Sequence, residues 1–193
     1  MLQENSQNIY YKFRDLKNYQ YLLDIILNQR LYAASFRNLN DNFEGQFILD
    51  NQSEAKRYRL NPRKQDHISV CSFSKTYKNH LMWSHYSDGH RGIVIGFTVD
   101  DSLYKIEKVA YSGLATFNFF PNRSEDLKNV FLNKIKEWDY EQEYRIMREK
   151  QEYIEIEIKE IIFGAETPEI DKTIISKLAK LINPDIVLKT YYD

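Results

Sequence analysis

The sequence predicts an α+β fold with a mixed, largely antiparallel sheet and flanking helices. Strand-like runs follow one another with single helices between them, whereas a doubly wound fold would alternate strands and helices strictly. The run GIVIGF (residues 92–97) is almost continuously apolar, so we expect it in the middle of the sheet. Neither a G-x-G-x-x-G motif nor a P-loop occurs in the sequence, which argues against the common nucleotide-binding α/β folds.

In the first half of the chain the clearest element is a helix. Its apolar residues recur at steps of three and four from Tyr19 to Leu27, which gives the helix one apolar face. Asn, Asp and Gly predict a turn over residues 37–45. The other predicted elements are strands at residues 9–15, 31–35 and 67–74 and a short helix at residues 78–88, which Gly89 ends.

In the second half a helix begins at Ser124, because Ser is a good N-cap and Glu125 and Asp126 in the first turn suit the helix dipole. We expect this helix to reach Trp138. Residues 153–164 alternate Ile with Glu or Lys, which is typical of a half-buried strand. The remaining predicted elements are strands at residues 108–112, 137–149 and 186–192 and a last helix at residues 168–182.

Composition is that of a soluble globular protein, and the length predicts a single domain over residues 1–193. The formal net charge of −1 gives the chain no overall attraction to nucleic acid or to an anionic membrane. Because no apolar run approaches ~20 residues and the first residues are polar, we expect no membrane span, no secretory signal and a cytoplasmic location. The single cysteine, Cys71, excludes an intrachain disulfide and a cysteine-based zinc site.

One segment departs from this balanced charge. Residues 54–66 contain five basic residues against two acidic ones. We interpret the segment as a solvated loop or the exposed face of a short helix. The alternative is a positive rim where an anionic substrate could dock.

The stretch EWDYEQEYRIMRE (residues 137–149) places two acids one residue apart. In a strand, Glu141, Glu143 and Arg145 would share one face, with same-face neighbours ~7 Å apart. Burial would raise the pKa of at least one carboxyl, and Arg145 could offset the repulsion between the two. The face is either exposed to solvent or part of a dry, aromatic-lined cleft in which a carboxylate stabilises positive charge.

The stretch NHLMWSHYSDGH (residues 79–90) contains three of the four histidines. They recur at steps of five, whereas the two-histidine zinc signature needs a step of four, so we expect no metal site. Trp83 and Tyr86 are three residues apart and would project together from a helix. They either pack into the core or form a stacking platform for a planar ring. No G-x-S-x-G elbow accompanies the serines, which argues against a serine hydrolase.

Several of these stretches together resemble a bacterial family of unknown function, DUF2971. The resemblance is carried by YYKFRDL, LYAASFRNLNDNFEG, CSFSK, LMWSHYSDGHRGIVIGF and WDYEQEYRI, and it runs from about Tyr10 to Gly164. The family usually has Pro after Asn-Asp, where this chain has Asn42. That difference loosens the turn and removes no titratable group.

The order of features is also similar to the ADP-ribosyltransferase fold in its arginine–serine–glutamate form, which implies a split two-sheet core. The resemblance implies that Arg14 pairs with the pyrophosphate of NAD and that Ser72 and Ser74 brace the site. It further implies that Glu143 stabilises the developing ribosyl cation and that Glu141 orients or deprotonates the acceptor. Trp83 or Tyr86 would stack on the nicotinamide ring.

The resemblance and the histidine segment together lead to three hypotheses. The first is an NAD-dependent ADP-ribosyltransferase-like enzyme or NAD glycohydrolase, a toxin or phage-defence effector, with protein, nucleic acid or water as acceptor. The second is a non-catalytic module on the same fold that binds a nucleotide or a peptide. The third is a metal-dependent nuclease that uses His80, His85, Asp88 or His90.

Overall fold

The computed structural model describes residues 8–39, 41–50, 54–150 and 152–193. The chain divides into two compact units. Unit 1 comprises Met1–Leu31, Phe73–Tyr104 and Tyr153–Asp193, and unit 2 comprises Tyr32–Ser72 and Lys105–Glu152. Each unit is therefore assembled from separate stretches of the chain. The expectation of one domain over residues 1–193 stays a prediction.

The helices are α1 (Tyr19–Asn28), α2 (His80–Tyr86), α3 (Ser124–Phe131) and α4 (Glu169–Ile182), with 3-10 turns at Phe36–Asn38 and Lys136–Glu141. The strands are β1 (Tyr10–Arg14), β2 (Arg30–Tyr32), β3 (Ala34–Ser35), β4 (Gln46–Asp50), β5 (Ala55–Arg59), β6 (Ile68–Ser74), β7 (Ile93–Thr98), β8 (Ile106–Lys108), β9 (Ala115–Phe117), β10 (Glu143–Glu149), β11 (Tyr153–Glu155), β12 (Glu157–Phe163) and β13 (Val187–Thr190). This mixture of helices and mainly antiparallel strands confirms the predicted α+β class.

The sheet of unit 1 has the strand order β13–β12–β7–β1, and β1 also pairs with the last residue of β6, Ser74, which lies in this unit. Strand β7 is antiparallel to both β1 and β12, and β12 is parallel to β13. Every residue of β7 is buried. The prediction that this apolar run is a central strand is therefore confirmed, because neighbours on both sides and packing on both faces require apolar side chains throughout.

The helices of unit 1 bury one face each. Helix α1 contacts α4 and buries Leu22, Ile25 and Ile26. The predicted apolar face is confirmed at Leu22 and Ile26 but was wrong at Leu27, which is exposed, because the buried face is centred closer to Ile25. Helix α2 contacts β1, where Trp83 meets Phe13 edge to face with ring centroids 5.5 Å apart.

Unit 2 contains the strand order β3–β6–β10–β8 and a three-stranded sheet with the order β5–β4–β9. Strand β5 is antiparallel to β4, and β9 is parallel to it. One apolar core cluster of unit 2 consists of Phe36, Phe47, Leu60, Val130 and Phe131. The basic segment was expected as a loop or helix face, which was wrong for its first part, because residues 55–59 form the edge strand β5.

Four predicted elements in the second half were also wrong. The strand expected at residues 108–112, within the described part of the chain, is absent, because β8 ends at Lys108 and beyond it only Ala110 makes an isolated β-bridge, to Asn133. The helix from Ser124 ends at Phe131 rather than at Trp138, and Arg123 rather than Ser124 is its N-cap. The expected strand over residues 137–149 begins as a 3-10 turn and becomes a strand only at Glu143, because Gln142 between them adopts the left-handed conformation with φ of 44°. Residues 153–164 form two strands rather than one.

Among the residues that the structure describes, no helix has both the length and the apolar character needed to cross a membrane.

Candidate functional site

Five charged side chains of unit 2 are buried together, and we call them the buried ionic cluster. They are Glu44, Lys134, Glu141, Glu143 and Arg145, each between 1% and 8% exposed. Three carboxylates and two cations give the cluster a formal charge of −1. Because burying a charge is costly unless it is paired and hydrogen-bonded, the geometry of these pairs determines what the cluster can do.

The backbone positions the two predicted acids differently. Glu143 and Arg145 are two residues apart on β10 and project to the same face, as the sequence predicted. Glu141 is the last residue of a 3-10 turn. Their carboxylates nevertheless converge, because both bind the ammonium of Lys134.

Arg145 is the centre of the cluster. Its Nε donates to Glu143 Oε1 (2.7 Å), Nη1 donates to Glu44 Oε2 (3.0 Å) and to the backbone oxygen of Phe131 (2.6 Å), and Nη2 donates to Glu143 Oε2 (3.1 Å) and to Glu44 Oε1. The guanidinium thus binds two carboxylates through both oxygens of each, which is the strongest geometry available to it.

Lys134 joins the remaining acid to this centre. Its Nζ lies 2.8 Å from Glu141 Oε2, 2.8 Å from Glu143 Oε2 and 3.8 Å from Glu44 Oε1. Its backbone is fixed by a hydrogen bond to the carbonyl of Ala110 (2.9 Å). An ammonium has three donors on a flexible stem, so Lys134 is the member of the cluster that can most readily exchange one partner for another.

Glu44 reaches the cluster from a tight turn. Its backbone N–H donates to the carbonyl of Asp41 (3.0 Å), and the next residue, Gly45, has φ of 73°. A Cβ at Gly45 would lie 2.3 Å from the ring of Phe36. Glycine is therefore required there both for the backbone conformation and for space.

The charges of the cluster keep the Glu143 carboxylate ionised. Burial by itself would raise the pKa of Glu143, but the adjacent charges of Arg145 and Lys134 outweigh it and hold that pKa well below its usual range. Burial would lower the pKa of Lys134, and the carboxylates of Glu143 and Glu141 raise it instead. Burial raises the pKa of Tyr111, whose hydroxyl accepts from the Glu143 backbone N–H (2.8 Å), to about 12.

In unit 1, Arg14 is the last residue of β1 and Ser74 the last residue of β6. Ser74 lies opposite Tyr11 in the β1–β6 pair, and Arg14 is three residues further along β1. Because side chains alternate between faces, Arg14 and Ser74 project to opposite faces of this part of the sheet. Ser74 is buried and its Oγ accepts from the backbone N–H of Thr76 (3.2 Å). Ser72, two residues earlier on β6, belongs to unit 2 and is half-buried.

Trp83 and Tyr86 lie on α2, which begins where the Asn79 side chain accepts from the N–H groups of Leu81 and Met82. Trp83 is fully buried, and its Nε1 donates to the carbonyl of Tyr77 (2.6 Å). Its ring is stacked on His90 at an interplanar angle of 7°. Trp83 therefore packs as a core residue, whereas Tyr86 is half-buried.

Two of the three histidines of this segment, His80 and His90, contact each other and Tyr191. The rings of His80 and His90 are 5.8 Å apart, and both nitrogens of His80 lie within 3.0 Å of the Tyr191 hydroxyl. Burial lowers the pKa of His90 and His80 lowers it further. Across the described ranges, His, Cys, Asp and Glu side chains do not gather in a group of three that could hold a metal ion.

Two members of the cluster, Lys134 and Glu44, could not be predicted from the sequence. Lys134 is seven residues from Glu141 and Glu44 is 101 residues from Arg145, so no periodicity connects them to the acidic pair. The only available signal was the NDNFEG turn, which placed an acid directly before a glycine.

Comparison with known proteins gives two matches. The solved structure of Thermus sp. 2.9 DarT in complex with NAD+ is similar to this chain over 96% of each chain, with 10% sequence identity and a TM-score of 0.40. No curated protein sequence matches the chain. Residues 82–146, about a third of the chain, match the model of the family described as "Protein of unknown function (DUF2971)", which confirms the resemblance for the region from α2 to β10.

Proposed function

We propose that the protein is an NAD-using ADP-ribosyltransferase-like enzyme in which Glu141 and Glu143 provide the negative charge for the reaction. The observation that carries the proposal is the composition of the buried ionic cluster, with three carboxylates against two cations. Cleavage of the nicotinamide–ribose bond leaves positive charge on the ribose. An uncompensated negative charge, held in place away from water, favours a transition state of that kind.

Glu143 has the properties that this role requires. Its depressed pKa keeps it ionised throughout the physiological pH range, and Arg145 holds its carboxylate in one orientation. Both oxygens of Glu143 accept hydrogen bonds. To bind a ribose hydroxyl, the carboxylate would exchange the bond to Lys134, whose ammonium would stay paired with Glu141.

The other assignments belong to the same proposal. Arg14 would pair with the pyrophosphate of NAD through its planar guanidinium. Ser72 and Ser74 project to the opposite face of the sheet from Arg14 and would brace the sheet behind it. Tyr86 is half-buried and Trp83 is fully buried, so we assign the stacking on nicotinamide to Tyr86. Glu141 would orient or deprotonate the acceptor. A cytoplasmic toxin or phage-defence effector is the biological role that this chemistry would serve.

The test is nicotinamide release from NAD, with and without cell extract to supply an acceptor. We expect Glu143→Gln to lower the rate by about a hundredfold or more, since one fixed electrostatic group in such a site typically contributes that much. Glu149→Gln is the matched control, because Glu149 is exposed on the same strand, β10. Circular dichroism must show that each variant is folded. Turnover that survives Glu143→Gln in a folded protein would remove the catalytic assignment.

A different observation favours a second function. The Glu143 carboxylate is already bound by Arg145 and Lys134. If these pairs serve only to stabilise unit 2, Glu143 takes no part in catalysis, and the protein is a non-catalytic module that binds a nucleotide or a peptide. Calorimetric NAD binding without nicotinamide release, unchanged by a folded Glu143→Gln variant, would support this function over the first.

A further inference from the structure

Helix α4 exposes a stripe of apolar side chains to solvent. Ile170 is 67% exposed, Ile174 is 45% exposed and Leu181 is 80% exposed. The opposite face of the same helix buries Ile175 and Ala179. Single exposed apolar residues are common on proteins, whereas several that line up on one face are typical of an interaction surface. Helix α4 is therefore buried on one face and carries a candidate interaction surface on the other.

The stripe is continuous because its members recur at helical spacing. Ile170, Ile174, Lys177 and Leu181 follow one another at steps of four, three and four residues, which places them on one face of an α-helix. Lys177, the polar member, is also exposed. Its aliphatic stem can cover apolar surface while its ammonium stays in water. Because all four side chains project from one helix, they form a single surface.

The stripe is symmetric about its own midpoint. Ile170 and Leu181 lie equally far from that midpoint at the two ends, and Ile174 and Lys177 lie equally far from it near the centre. When two copies of α4 pack antiparallel about a two-fold axis at the midpoint, each Ile170 is opposite Leu181 of the other copy. Each Ile174 is then opposite the stem of Lys177. The surface is thus complementary to itself, as a two-fold interface between identical chains must be.

The charges beside the stripe fit the same arrangement. Glu169 in the first turn and Lys180 in the last are three helical turns apart, so they lie on the same side of the stripe. Antiparallel packing brings them, from different copies, to within about 3 Å of each other along the helix axis. Glu169 contacts Lys172 (2.6 Å), but its side chain is 85% exposed and can accept a further donor. Lys180 donates to the carbonyl of Pro184 (2.6 Å), and an ammonium has two more donors.

We propose that the protein forms a two-fold symmetric homodimer in which α4 packs antiparallel against α4 of a second copy. The helix has 14 residues and is about 21 Å long, so the contact is at the small end of specific interfaces and the dimer is reversible. Lys177 lies close to the two-fold axis and therefore near its own copy, which weakens the dimer further. The inference depends on α4 alone and is independent of the NAD chemistry proposed above.

The test is sedimentation equilibrium of the full chain from about 5 μM to 1 mM, where a small interface dissociates measurably. We expect a monomer–dimer equilibrium with its dissociation constant in this range. Ile170→Glu should raise the constant about tenfold or more, because it places a charge against Leu181 twice in each dimer. Leu81→Glu is the matched control at a 49% exposed apolar residue on α2, and it should change the constant by less than about twofold.

The charge pair tests the antiparallel register. Glu169→Lys and Lys180→Glu should each raise the dissociation constant about threefold at low salt, because each creates like charges twice in the dimer. The double variant has opposite charges again and should return the constant to within about twofold of the wild type. Circular dichroism must show that each variant is folded. A different occupant of the stripe would give no such rescue.

A further pair of variants tests the position of the two-fold axis. Lys177→Leu removes like charges near the axis and adds an apolar side chain, so it should lower the dissociation constant about tenfold. Lys136→Leu makes the same change at an exposed position outside α4 and should leave the constant within about twofold.

Four results would overturn the proposal. One is a wild-type chain that stays monomeric at about 1 mM. Another is an equal effect of Ile170→Glu and Leu81→Glu, which would make the association unspecific. The third is a double charge variant that dimerises no better than the single variants. The fourth is a monomer that binds phospholipid vesicles and loses that binding in Ile170→Glu, which would assign the stripe to a membrane surface.

Discussion

Arg145 is the central residue of the buried ionic cluster in unit 2. It is 1% exposed and binds Glu44, Glu143 and the carbonyl of Phe131. The Phe131 carbonyl belongs to the last residue of α3, where backbone oxygens lack partners within the helix. Arg145 therefore pairs with two buried acids and caps a helix end at once.

We predict that Arg145→Met lowers the free energy of unfolding by about 3–5 kcal/mol, because the change leaves Glu44 and Glu143 buried without their main partner. Urea unfolding measures this. Arg148→Met is the control, since Arg148 is exposed on the same strand, and it should change stability by less than about 0.5 kcal/mol. Similar stability in the two variants would contradict the central role of Arg145.

At the scale of elements, β7 and β12 pack closely because Gly96 on β7 has no side chain. Gly96 on β7 lies opposite Glu160 on β12, and a Cβ at Gly96 would lie 2.5 Å from Glu160 Cγ. The space lets the Glu160 carboxylate, 5% exposed, reach Lys189 on β13 at 2.5 Å. Burial and the adjacent Glu160 also raise the pKa of Tyr11 on β1.

We predict that Gly96→Ala lowers the free energy of unfolding by about 1–3 kcal/mol through overpacking against Glu160. The cause is tested by a double-mutant cycle with Glu160→Ala, measured by urea unfolding. If the clash is responsible, the double variant should be less destabilised than the sum of the single variants, by about 0.5 kcal/mol or more. Strict additivity would place the cost elsewhere.

A second element-scale prediction concerns the start of α2. The Asn79 side chain accepts hydrogen bonds from the N–H groups of Leu81 (2.8 Å) and Met82 (3.4 Å). Asn79→Ala should therefore cost about 1 kcal/mol of stability, and Asn79→Asp, which keeps the acceptor, should cost much less. Thermal unfolding of the two variants provides the comparison. An equal loss in both would mean that the cap contributes little to α2.

At the scale of the whole molecule, the buried ionic cluster makes the free energy of unfolding decrease at acid pH. The pKa of Glu143 is lower in the folded chain than the value of ~4.3 expected when unfolded. A lowered folded-state pKa means that the unfolded chain binds the proton first. The stabilisation from Glu143 is thus complete above about pH 5 and is lost as the pH falls through its folded-state pKa.

We predict that the free energy of unfolding decreases as the pH falls below about 4. The slope of that free energy against pH should be smaller in Glu143→Gln, by up to the contribution of one proton, about 1.4 kcal/mol per pH unit. Urea unfolding at a series of pH values measures the slope. The slope for Glu149→Gln, at an exposed position of the same strand, should match the wild type. A Glu143→Gln slope that equals the wild-type slope would refute the ionised, stabilised state of Glu143.

Local features of the fold were predictable because they depend on neighbouring residues. The burial of Leu22 and Ile26 on α1 and the shared face of Glu143 and Arg145 follow from side-chain periodicity, and the burial of β7 follows from its continuous apolar run. The prediction of one strand over residues 137–149 was wrong at Gln142. The left-handed backbone conformation of this residue cannot be predicted from the pattern of apolar and polar residues.

The sequence by itself determined the α+β class, the central strand, the order of candidate residues and the basic segment, since each is a matter of composition or of spacing along the chain. Only the tertiary structure decided that Glu141 and Glu143 are buried and paired with Lys134 and Arg145 rather than exposed, and that Trp83 is covered. The physical reason is that the cost of burying a charge depends on partners such as Glu44, which the fold brings together across a separation of 101 residues.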